Sequence, residues 1–183
     1  ILTFLSLADL GMSTAMMYSL YEPLAKKDEK KIIDYLDYFK RAYRIIAFCI
    51  FALGIFLIPF LKFIVNLPDD MPDIYIYYIL LLINTVSSYL FIYQTTLVSA
   101  DQKNYILNKY DIIFQFVLFI LQTLALLLTK NFAFYLIAQI ICTVFSNIVK
   151  VSISKKMYPY LKKNNSQQLS VKEKKKIHNN VFS

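Results

Sequence analysis

Long apolar runs alternate along the chain with short polar stretches. Five of the runs approach the roughly 20 residues that cross a hydrocarbon core. They cover about 1–24, 44–66, 74–99, 111–129 and 132–154. The breaks between them are chemically distinct. Residues 25–43 open with Lys26, Lys27, Asp28, Glu29, Lys30 and Lys31, and then Ile32, Leu36, Phe39 and Tyr43 recur at helical spacing among charges. That pattern predicts an amphipathic cytoplasmic helix that lies on the membrane surface or runs directly into the next span. Asn66 to Asp73 holds two prolines and three aspartates, a short acidic loop. Ala100 to Tyr110 reads as a polar loop, Thr129-Lys130-Asn131 as a tight turn, and 155–183 as a solvated basic tail. The expected fold is all-α, a single polytopic transmembrane helix bundle.

Polar residues inside these runs form patterns. In the first, Ser6, Asp9 and Ser13 share one side that Met16 and Leu20 continue, and Gly11 lies between. The second is nearly pure Ile, Leu, Phe and Ala, interrupted by Gly54 and Pro59, and is expected to face lipid. The third opens with Tyr75, Tyr77 and Tyr78, suited to a headgroup interface. It continues with Asn84, Ser88, Thr95 and Ser99 broadly on one face. The fourth has Gln115 and Gln122 seven apart. The fifth carries the cleanest stripe: Gln139, Thr143, Ser146, Asn147 and Lys150. Polar groups are expensive in lipid and turn toward a bundle interior or a wet cavity. Two readings therefore stand for Asp9, Ser13, Asn84, Ser88, Thr95, Gln139, Thr143 and Asn147. They line a substrate cavity, or they hydrogen-bond between helices and hold the bundle together.

Charge adds a direction. The net charge of +8 would suggest an acidic partner in a soluble chain, but here the distribution matters more. Seven Lys and Arg residues lie between the first two runs, two after the third and nine from Lys150 onward. Of the intervening connections, the acidic loop has none, with Lys62 just before it at the end of the second run, and the hairpin turn has one, Lys130. Alternate sides thus differ consistently, which places the lysine-rich side in the cytoplasm and the acidic loop outside. Asp9 then lies toward the outer half, and Glu22-Pro23 exits to the cytoplasm. Lys40, Arg41, Arg44 and Lys150 are candidates for an anionic headgroup; the plainer reading of the first three is positive-inside anchoring. Cys49 and Cys142 both sit in apolar runs, so neither a disulfide nor a metal site is expected. The lone histidine, His178, belongs to the basic tail. Nothing assembles a catalytic triad or a nucleotide-binding loop, and no enzyme activity is expected.

Several runs, taken together and in order, resemble a known family. They are Leu7 to Ala25 with Lys27-Asp28-Glu29-Lys30-Lys31; Phe39 to Arg44 leading into Gly54-Ile55-Phe56-Leu57-Ile58-Pro59-Phe60; Ser87 to Phe91 through Ala100 to Lys103; and Tyr158 to Lys162. As a set they resemble the bacterial polysaccharide flippases, the Wzx-like group of the multidrug/oligosaccharidyl-lipid/polysaccharide exporter superfamily. The resemblance implies a MATE-like bundle of about 12 to 14 spans in two pseudosymmetric halves, with five spans of the first half present here as an internal fragment. It implies a multi-pass protein of the bacterial cytoplasmic membrane. Its substrate would be an undecaprenyl-diphosphate-linked oligosaccharide repeat unit, moved to the outer leaflet for surface polysaccharide synthesis. Hydroxyl and amide groups suit the sugar, and basic groups suit the diphosphate. The implied partners are that lipid, the surrounding membrane lipids and polysaccharide polymerase machinery, with no nucleic acid. No cofactor is implied; a coupling cation belongs to the family picture, and no residue here marks a site for it.

Other readings compete. A drug/cation antiporter of the same fold would carry carboxylates on several spans, whereas only Asp9 is evident. A lipid II flippase is a close variant. A membrane glycosyltransferase or polymerase would need a larger external catalytic loop than Asp69-Asp70-Met71-Pro72-Asp73. A pure scaffold would not need polar stripes on three spans.

Overall fold

The computed structural model describes residues 10–61 and 74–162. Asp9, the acidic loop, His178 and most of the basic tail lie outside the described residues. Six α-helices and two short 3-10 turns account for nearly all of what is described, with no strand among these residues. They are α1 (Leu10–Ala25), α2 (Glu29–Leu57), α3 (Ile74–Tyr89), α4 (Ile92–Ala100), α5 (Asn104–Thr129) and α6 (Phe132–Met157). Turns at Ile58–Phe60 and Pro159–Lys162 follow α2 and α6.

Local chemistry sets the first junction. Pro23 lies in the last turn of α1, and the helix ends two residues later. Lys27 takes a left-handed backbone (φ 53°) and turns the chain back. Asp28 then caps α2 by accepting a hydrogen bond from the Lys31 amide at 3.1 Å, and Glu29 complements the positive end of the helix dipole.

The amphipathic segment runs straight into the second apolar run, so α2 is one continuous helix about 43 Å long. Its buried residues are Ile32, Tyr35, Leu36, Phe39, Tyr43, Ala47, Ile50 and Gly54, a single stripe at steps of three and four. Beyond Arg44 the opposite side is apolar as well, with Phe48 70% exposed and Phe56 65% exposed. An apolar surface of that kind suits lipid. Against the stripe pack α1, α3 and α4. Met16 and Leu20 of α1 are fully buried there, and the Ser13 hydroxyl lies 2.9 Å from that of Tyr43.

Three helices are long and apolar enough to cross a membrane: Glu29–Phe60, Asn104–Thr129 and Phe132–Met157. A fourth candidate is α3 with α4, taken as one span bent by 45°. Here the expected unbroken helix over 74–99 needs correction. Thr85, Ser87 and Ser88 donate their hydroxyls to the carbonyls of Leu81, Ile83 and Asn84. Such back-bonding competes with the helix ladder and bends it. At the break the amides of Phe91 and Gln94 reach back only three residues, to Ser88 and Phe91.

Two further boundaries move. The expected loop over Ala100 to Tyr110 shrinks to Asp101–Lys103, with Gln102 left-handed (φ 58°), because α5 begins at Asn104 and buries Leu107. The basic tail does not dissolve at Lys155: α6 continues to Met157, and Tyr158 is buried beyond it. The hairpin turn holds as expected. Lys130 closes α5 in a left-handed conformation, and Asn131 caps α6 by accepting from the Ala133 amide at 2.8 Å.

α2 and α3 approach closely at Gly54. The Tyr78 hydroxyl donates to the Gly54 carbonyl at 3.0 Å, and a Cβ at Gly54 would overlap the side chain of Leu82, itself 1% exposed. Gly54→Ala should therefore cost about 1–3 kcal/mol of stability, the usual range for overpacking. Thermal unfolding of the detergent-solubilised protein would show the loss. A Leu82→Ala change in the same chain should recover part of it by making room for the methyl group.

Candidate functional site

The hairpin of α5 and α6 packs against α3 mainly through α6, while α5 keeps most of its surface outside the bundle. Where the α3–α4 bend turns away, it leaves a cavity of 350 Å³ between the bend and the hairpin. Ser88 and Thr95 line it from either side of the bend, Gln115 from α5, and Thr143, Ser146 and Asn147 from α6. Lys150 and Asp111 close one end, with the ammonium 2.8 Å from the carboxylate. The Lys150 side chain is 16% exposed and that of Asp111 40%, so the lysine is the more enclosed partner. The Cys142 thiol, also in the wall, donates to the Phe114 carbonyl at 3.4 Å.

The wall has a definite hydrogen-bonding character. Ser88 and Thr95 donate to the carbonyls of Asn84 and Ile92, so their oxygens remain free to accept. Asn147 and Gln115 bring amides that both donate and accept. None of Gln115, Thr143, Ser146 and Asn147 hydrogen-bonds through its side chain to another described residue. The site can hold a polar, hydroxyl-bearing group. Among the described residues no group of His, Cys, Asp and Glu could hold a metal ion.

Five of the residues picked from sequence meet here: Ser88, Thr95, Thr143, Asn147 and Lys150. Gln139 is half-buried on α6 outside the cavity wall. Asn84 is half-buried on α3, with its side-chain oxygen fully enclosed and unpartnered. Ser13 sits across the bundle beside Tyr43. Lys40 lines a different pocket, and Arg41 and Arg44 are exposed on α2. Asp9 lies outside the described residues.

The sequence marks Gln115 and Ser146 as polar positions without assigning them to a cavity and gives Asp111 no role, although a usable signal exists for all three. In an antiparallel helical hairpin, residues equally far from the turn stand at the same level. Counted from the turn between Lys130 and Asn131, Asp111 pairs with Lys150, Gln115 with Ser146, and Leu118 with Thr143. All six line the cavity.

A second polar cluster ties the lysine-rich ends of the helices together. The Tyr158 hydroxyl donates to Asp101 Oδ2 at 2.7 Å, and Lys103 Nζ lies 2.6 Å from the same oxygen and 5.8 Å from the centre of the Tyr158 ring. Burial pushes the Asp101 carboxyl up, but the bonds from Lys103 and Tyr158 and the lysine charge outweigh it and hold it below its ordinary value. Burial, then the bond to Asp101, pushes the Tyr158 phenol far up. Tyr160 is pushed up to about 12, by burial first and then by the charges of Asp101 and Glu29.

No family model matches this chain, and no curated protein or solved structure matches it either.

Tyr158→Phe should lower stability by about 1–2 kcal/mol, the worth of one hydrogen bond to a charged group that is partly solvated. The alkaline limb is a separate check. The folded chain keeps the Tyr160 proton to a pH of about 12, whereas the unfolded chain releases it near 10. The neutral phenol is therefore no handicap below pH 10, and stability falls as pH rises from there. Tyr160→Phe should flatten that part of the profile, measured as melting temperature against pH.

Proposed function

We propose that the chain forms part of a membrane flippase for a lipid-linked oligosaccharide, working in the bacterial cytoplasmic membrane. The observation that carries this reading is the cavity at the α3–α4 bend, walled by hydroxyls and amides between helices apolar enough to span a bilayer. Sugar hydroxyls donate and accept, and the free lone pairs of Ser88 and Thr95 beside the amides of Gln115 and Asn147 complement them. A bent span supports a changing access path, because a helix already broken at Leu90–Phe91 can swing its two parts with little loss of backbone bonding. The apolar outer faces of α2 and α5 would keep the substrate's polyprenyl tail in lipid while its head enters the cavity. The same arrangement serves a lipid II flippase, which differs only in the head carried. A drug/cation antiporter is favoured less: within the described helices the cavity's carboxylate, Asp111, is already neutralised by Lys150.

Deleting the gene should leave lipid-linked repeat units accumulating in the cytoplasmic leaflet, seen by extraction and mass spectrometry of membrane lipids. Normal levels of those lipids would sink the flippase reading. In a complemented strain, Asn147→Leu at equal protein level should lower surface polysaccharide by about tenfold, the effect of losing one or two polar contacts to the head.

A further inference from the structure

At the lysine-rich end of the bundle lies a second pocket, of 170 Å³, that shares no lining residue with the cavity. α2 contributes Asp37 and Lys40, α4 contributes Tyr93 and Gln94, and the last turn of α6 contributes Lys155. Leu36 and the Leu161 side chain supply apolar wall. The pocket sits where α2 changes from charged to apolar, one turn before Arg44. Lysine-rich ends of membrane-crossing helices lie at the level of phospholipid headgroups.

Its chemistry is unbalanced in two ways. Lys40 and Lys155 outnumber the one carboxylate, Asp37, and neither lysine forms an ion pair among the described residues. The second imbalance concerns Gln94. Its Nε2 donates to the Tyr93 hydroxyl at 3.0 Å, which leaves the phenol proton free to be donated. Its Oε1 is fully buried with no partner, which leaves an acceptor waiting for a donor. An occupant that is anionic, accepts from two ammonium groups and a phenol, and carries a hydroxyl of its own would resolve both.

We propose that this pocket binds the headgroup of an anionic phospholipid of the lysine-rich leaflet, a phosphodiester bearing free hydroxyls, as in phosphatidylglycerol. The phosphate takes the Lys40 and Lys155 ammonium groups and the Tyr93 phenol, and a headgroup hydroxyl donates to Gln94 Oε1. The acyl chains leave along the exposed apolar face of α2. Clustered cations at a membrane surface attract anionic lipid; this site adds shape and a neutral acceptor. The inference does not depend on the flippase reading.

The test is a thermal-shift titration of the purified protein in a neutral detergent. Phosphatidylglycerol should raise the melting temperature saturably, while phosphatidylcholine and inorganic phosphate should leave it unchanged. Lys40→Gln and Lys155→Gln should each weaken the phosphatidylglycerol response by about fivefold. Lys109→Gln, exposed on α5 and outside the pocket, should leave it intact. An equal shift from phosphatidylcholine, or a double variant that keeps the wild-type response, overturns the proposal. So does a shift from inorganic phosphate alone, which would make the pocket a free-anion site. Should the double variant not fold, Lys155→Gln alone, at an exposed position, decides the matter by the same readout.

Discussion

A polar side chain within an apolar bundle needs either a partner inside the protein or a polar space to face, and the bend and the cavity of this chain follow from how each type of side chain meets that demand. Hydroxyls can meet it alone. Thr85, Ser87, Ser88, Thr95, Thr96 and Ser99 all turn back and donate to a carbonyl three or four residues earlier. The cost is strain on the helix ladder, concentrated here in one stretch, and the helix yields by 45° at Leu90–Phe91. Amides have no such short route in a helix. Asn147 and Gln115 instead border the space that the bend opens. The bend and the cavity are thus two outcomes of one constraint, met by different side chains.

The bend also explains the packing around it. If α3 ran on straight, Thr96, Leu97, Val98 and Ala100 would leave the bundle; redirected as α4, they are buried against α1 and α2. The lower half of α2 is held by that contact and the upper half by the close approach of Gly54 to Leu82. Opposite ends of one long helix are therefore clamped by the two halves of a single bent segment. The Asp101–Lys103–Tyr158 cluster then fixes the end of α4 to the turn after α6, so the hairpin cannot drift from the bend at that side.

Much of this was legible in the amino-acid sequence, for identifiable reasons. Apolar period and length located α2, α5 and α6, because those helices are apolar on their exposed side as well as toward their neighbours, which leaves an unmixed signal. The polar stripe Thr143, Asn147 and Lys150 was legible because three- and four-residue spacing survives whatever the stripe faces. Three things were obscured. Hydropathy cannot see a break made by hydroxyl back-bonding, since Ser and Thr barely alter the apolar average over 74–99. Helix ends beyond the apolar core, such as Asn104 to Tyr110 and Lys155 to Met157, look like loop because they are polar, though the backbone ladder continues through them. Asp111 lay in plain view, but its meaning comes from its level opposite Lys150 across the turn, which no window along one helix contains.

The two pockets meet in α4. Tyr93 and Gln94 belong to the headgroup pocket and Thr95 to the cavity, and all three stand within the first four residues of a nine-residue helix. A helix that short moves as one body, so its first turn cannot shift toward one pocket without changing the other. Ser154 reinforces the linkage, with its fully buried hydroxyl 3.5 Å from the Gln94 carbonyl, just before Lys155 and one turn beyond Lys150. Charge at the membrane surface and polar capacity within the span are therefore joined through a few consecutive residues on two helices. Any occupant that fixes α4 at the surface also fixes the angle at which the bent span faces the cavity.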